Sequence, residues 1–117
     1  PVTPPPDIDL DVWPESLGAI AAWQPERLWV THFGPGQNVP AHLESFRERL
    51  DSWSQRVESD LDEGKSESQA TDEFAEWVGA EMREHLSEDE AVAYEHGGPP
   101  QAQWAGLARY FRKRAER

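Results

Sequence analysis

The amino-acid sequence predicts a mainly α-helical protein with a short helix–strand unit at its N-terminal end. Apolar residues recur at helical spacing over most of residues 41–115, and the one strand-like run is short and lies near residue 30. Pro and Gly residues separate the segments. We therefore expect one helix and one strand over residues 1–36, followed over residues 37–117 by a bundle of three to four helices.

The N-terminal helix is predicted from the positions of proline and aspartate. Repeated prolines favour an extended chain over residues 1–9. A helix is expected over residues 10–24, with Asp9 or Asp11 as its N-cap and with Pro25 ending it. Its apolar side would consist of Leu17, Ile20, Ala21 and Trp23.

The predicted strand covers residues 27–31 and ends in a loop. Three consecutive apolar residues are typical of a strand that is covered on both faces, and here they are Leu28, Trp29 and Val30. The letters HFGPG at residues 32–36 then predict a break in the strand.

The longest helix is predicted over residues 41–62. Its apolar residues are spaced three or four apart, and they are Leu43, Phe46, Leu50, Trp53, Val57 and Leu61. Gly64 is expected to end this helix, and Ser66 with Gln69 forms a capping pattern that begins the next one. The core face of that next helix would consist of Ala70, Phe74, Trp77, Val78 and Met82.

Two further segments complete the predicted bundle. Ser87 with Glu90 repeats the capping pattern and predicts a short helix or turn through Tyr94. The letters HGGPP at residues 96–100 predict a break, and a last helix follows over residues 101–115. That helix would bury Trp104, Leu107, Ala108 and Phe111, with Tyr110 beside them.

Composition excludes several classes of protein. A net charge of −12 argues against nucleic-acid binding, and the absence of Cys excludes disulfides and thiolate metal sites. No apolar run approaches the length of a membrane span, so we expect a cytoplasmic protein without membrane contact.

The final nine residues hold five of the eleven basic residues, which predicts a last helix docked against acidic residues. The PVTPPP start lacks Met, and we expect a piece of a longer chain.

His32 is the candidate functional residue. A histidine at the end of a strand, before a glycine-containing loop, is where α/β folds place binding groups. A catalytic zinc needs about three protein ligands, however, and His42, His85 and His96 stand at no ligand-like spacing. We expect His42 to be a cap or surface residue, His85 to lie in the last turn of a helix and His96 to lie in a turn. From these residues alone, His32 is either a metal ligand or a histidine without a functional role.

A family resemblance favours the metal ligand. The run PPPDIDLDVWPESLGAIAAWQPERLWVTHFGPG resembles the last βα portion of metallo-β-lactamase-fold hydrolases. In that family, a helix that carries a Ser-Leu pair leads through a Pro-Glu-Arg turn into a strand that ends in His-Phe-Gly. The Ser-Leu pair of this sequence is Ser16-Leu17. The resemblance implies that His32 is the last ligand of a dinuclear site holding zinc, or else iron or manganese. It also implies that Gly34 allows close backbone approach beside the metals.

The resemblance covers residues 4–36 and extends as a helical appendage through HLESFRERLDSW. The family's His-x-His-x-Asp-His motif is absent from this sequence, so the chain would supply one ligand of several. Residues 1–36 would be the end of the metallo-β-lactamase-like domain and residues 37–117 a C-terminal helical domain. No catalytic residue is expected in this chain, which would be inactive alone and bind metal weakly or not at all.

The implied partner is the remainder of the parent polypeptide, and self-association of the isolated chain is also expected. Nucleic acid and membranes are not expected as partners. The alternative hypothesis is a non-enzymatic helical module for protein interaction or oligomerisation. The long apolar stripe and the tryptophan-rich helices would then form the interface.

Overall fold

The computed structural model describes the chain except for residues 2, 5, 6, 31–33 and 37. Over the described residues the protein is mainly α-helical, as the sequence predicts, with five helices and two short strands. In chain order the elements are α1 (Trp13–Ala22), β1 (Leu28–Val30), β2 (Gly34–Gly36), α2 (Val39–Asp62), α3 (Glu67–His85), α4 (Glu88–Gly97) and α5 (Pro100–Ala115). The chain divides into two compact units. The first contains Pro1 and Asp9–Ser52, and the second contains Val2–Ile8 and Trp53–Arg117.

Helix α1 begins three residues later than predicted and without a side-chain cap. Pro14 stands in its first turn, where a missing N–H costs nothing. The predicted capping by Asp9 or Asp11 is wrong, because the Asp9 carboxylate accepts a hydrogen bond from the Asp11 N–H at 3.0 Å instead. The chain leaves the helix through Gln24, whose φ of 50° cannot continue an α-helix, and Pro25 follows.

Packing in the first unit uses only part of the predicted apolar side of α1. Leu17 is buried, and the rings of Trp13 and Phe46 stand 5.1 Å apart. Trp23, which was expected on the buried side, is 78% exposed, so that prediction is wrong. The helix ends at Ala22, so Trp23 lies just beyond the turns that could pack it.

The two strands form an antiparallel pair. Leu28 lies opposite Gly36, and Val30 lies opposite Gly34. The predicted loop over residues 32–36 is therefore wrong for Gly34–Gly36, which pairs with β1 through its backbone. The prediction that β1 is covered on both faces is wrong for Trp29, which is 74% exposed. Successive residues of a strand point to opposite faces, so the face that carries Trp29 is open.

The helix ends of the second unit confirm the predicted boundaries. Helix α2 ends in a Schellman motif, with Gly64 at φ 69° and with the Lys65 N–H donating to the Asp60 carbonyl. The Ser66 hydroxyl caps α3 at the Gln69 N–H, and Ser87 with Glu90 forms a reciprocal capping box for α4. Helix α4 continues to Gly97, so the predicted break over residues 96–100 is shorter than expected.

The core of the second unit contains the C-terminal part of the apolar face predicted for α2 and most of the faces predicted for α3 and α5. The prediction is wrong for the end of α5, where Tyr110 is buried and Phe111 is only half-buried. The ring of Trp53 meets the ring of Phe74 edge to face at a centroid distance of 5.4 Å. The largest fully buried apolar side chains of this unit are Val57, Phe74, Val78, Trp104 and Leu107. Helix α3 packs against both α4 and α5. The part of the chain that the structure describes contains no helix with the length and apolar character to cross a bilayer.

Candidate functional site

His32, the metal ligand implied by the resemblance, lies outside the described residues. Strand β1 ends two residues before it, and strand β2 begins two residues after it. Its role as a ligand stays a prediction.

The other three histidines lie on three different helices, α2, α3 and α4. Among the residues that the structure describes, no group of three or more His, Cys, Asp or Glu side chains could hold a metal ion. His42 is exposed in the first turn of α2, and His85 lies in the last turn of α3, as predicted. His96 lies in the last turn of α4 and not in a turn between helices, which corrects its prediction. A catalytic zinc needs about three converging ligands, so the described residues do not form such a centre.

A buried carboxylate, which the sequence analysis did not single out, lies at the centre of the second unit. Asp60 is 1% exposed on the last turns of α2. Its Oδ1 accepts hydrogen bonds from Lys65 Nζ at 2.8 Å and from Arg56 Nε at 3.3 Å. Its Oδ2 accepts a hydrogen bond from the indole Nε1 of Trp104 on α5 at 3.2 Å.

Glu73 on α3 extends this cluster. Its carboxylate accepts a hydrogen bond from Lys65 Nζ at 2.9 Å and lies 3.5 Å from a guanidinium nitrogen of Arg56. Hydrogen bonds first to Asp60 and then to Glu73 raise the pKa of Lys65 above its ordinary value. The hydrogen bond from Lys65, followed by one from Gln69, lowers the pKa of Glu73. Both shifts favour the charged forms, so the cluster is an ion-pair network at neutral pH.

The Asp60 cluster, which consists of Asp60, Arg56, Lys65, Glu73 and Trp104, has a structural role. Both carboxylate oxygens already accept hydrogen bonds from protein donors, so the hydrogen-bonding needs of the buried Asp60 carboxylate are satisfied within the protein. The contacts join α2, α3 and α5 and extend from the buried Asp60 to side chains that are partly exposed, those of Arg56, Lys65 and Glu73. The sequence carried one signal for this role, because Asp60 stands three residues after Val57 and thus on the buried stripe of α2.

A second buried polar contact joins the N-terminal segment to α5. Thr3 is fully buried, and its backbone N–H donates to the side-chain oxygen of Gln103. The Thr3 hydroxyl donates to the backbone carbonyl of Gln103 at 3.1 Å. Gln103 is itself 3% exposed, so these groups satisfy each other out of contact with water.

The same segment reaches the basic end of α5. Asp7 accepts a hydrogen bond from Lys113 Nζ at 2.8 Å and lies 4.0 Å from Arg109. The hydrogen bond and the charge of Lys113 lower the pKa of the Asp7 carboxyl. Arg112 of α5 lies 3.5 Å from Glu67 of α3. The prediction that the basic last helix docks against acidic residues is confirmed by these pairs.

The Ser-Leu pair of the resemblance, Ser16-Leu17, lies on α1. The Ser16 N–H donates to the Val12 carbonyl. Comparisons with protein-family models, with curated proteins and with solved structures found no match to this chain.

Proposed function

We propose that this chain is the C-terminal part of a metal-dependent hydrolase of the metallo-β-lactamase superfamily. In this proposal His32 is the last metal ligand, and the helices that follow it are an appendage to the catalytic domain. The metal would be zinc, or else iron or manganese. The absence of Cys from all 117 residues supports a reducing compartment, and we assign the parent protein to the cytoplasm.

The observation that carries the proposal is the order of elements before His32. A helix with Ser16-Leu17, a Pro-Glu-Arg turn and a short strand ending two residues before the histidine agree with what the resemblance implies. In this proposal the strand would hold the backbone that leads to the histidine, because a metal ligand requires a firmly held backbone.

The exposed tryptophans of the first unit also support the proposal. Trp23 and Trp29 are each more than 70% exposed, although indole rings of this size are normally largely buried. Trp29 lies on β1 and Trp23 directly follows α1. In a metallo-β-lactamase-like sandwich, the rest of the sheet and its helices would cover these two elements.

The family's His-x-His-x-Asp-His motif is absent from the sequence, so we expect the chain alone to be inactive. The parent's bound metal would supply a water of lowered pKa as the nucleophile for hydrolysis. The contribution of this chain would be to hold one imidazole on a strand, with the other ligands coming from the remainder of the parent.

The test begins with the reading frame upstream of residue 1, where the proposal requires a His-x-His-x-Asp-His motif. The parent protein would then be purified with its metal, and the metal content and ester or thioester hydrolysis would be measured for His32→Ala. His42→Ala is the matched control, because His42 is exposed on α2. We expect His32→Ala to lower both quantities and His42→Ala to change neither. An upstream frame without the motif, or an unchanged metal content in His32→Ala, would refute the proposal.

A non-enzymatic interaction module is the second candidate, and one observation favours it. The second unit has a core of its own around Phe74 and Trp104, which is what a separately acting helical module requires. The same reading-frame experiment separates the two functions, since a module without hydrolase activity needs no upstream metal motif.

A further inference from the structure

We draw no further inference here: the strongest candidate, the exposed surface of the first unit around Trp23 after α1 and Trp29 on β1, carries nothing beyond the proposed function, because nothing in the described part of the chain shows what covers it.

Discussion

Replacement of Asp60 by alanine should destabilise the protein by about 3–5 kcal/mol, which is the usual cost of removing one partner from a buried ion pair. Asp60 is 1% exposed and accepts hydrogen bonds from Lys65, Arg56 and Trp104. About 1–3 kcal/mol of the loss should come from the indole N–H of Trp104, because Trp104 is itself 1% exposed and its donor would lose its acceptor.

Two further variants show how much of this loss of unfolding free energy comes from the hydrogen bond to Trp104 and how much is specific to the buried position of Asp60. Asp60→Asn keeps an oxygen that can accept from Trp104 and should cost about 1–3 kcal/mol less than Asp60→Ala. Asp62→Ala is the matched control, since Asp62 is an exposed aspartate two residues further along α2, and it should change stability by less than about 0.5 kcal/mol. The assay is urea unfolding at pH 7, followed by circular dichroism at 222 nm. If Asp60→Ala and Asp62→Ala have equal unfolding free energies, the Asp60 cluster does not stabilise the fold.

Further predictions concern the core, the pH dependence and the association state. Trp53→Ala should lower the free energy of unfolding by about 3–5 kcal/mol in the same assay. Trp23→Ala should lower it little, because Trp23 is 78% exposed. Equal losses of unfolding free energy in the two variants would contradict the packing of α2. The pKa of Glu73 is lowered from its ordinary 4.5, so its stabilising contribution is complete at neutral pH and is lost as the pH falls below about 4.5. The difference in unfolding free energy between wild type and Glu73→Gln should therefore narrow between pH 7 and pH 3, and a constant difference would refute this. Light scattering over a concentration series should show self-association of the isolated chain, and a strictly monomeric chain would contradict the expected exposure of its strand edges.

The helices could be predicted from the sequence because their signals are local. The 3- and 4-residue spacing along α2 and the glycine at position 64 define that helix without knowledge of the rest of the chain. The Ser87 and Glu90 capping box forms as predicted for the same reason, since both partners lie within one turn. Helix boundaries that depend on hydrogen bonds between residues close in the sequence can therefore be predicted from short stretches of sequence.

The errors occurred where a residue's environment depends on distant parts of the chain. Three consecutive apolar residues in β1 could not show that Trp29 faces outward. The Gly-Pro-Gly of β2 has little strand propensity, and its pairing depends on β1 alone. The hydrogen bond between Asp60 and Trp104 could not be predicted, because the two residues are 44 positions apart in the sequence. Thr3 and Gln103 lie 100 residues apart, and only Gly106, a glycine within a helical pattern, hinted at their contact.

The contact between Thr3 and Gln103 has a consequence for the order in which the protein folds. The turn from α2 to α3 is closed by bonds such as that from Lys65 to Asp60, which span only five residues. Contacts of short sequence separation form quickly, whereas a contact across 100 residues must first overcome the entropy of closing a long loop. The N-terminal segment should therefore dock after the helices have assembled. Residues 1–8 are synthesised before α5, so Thr3 must wait for α5 to leave the ribosome before it can reach Gln103.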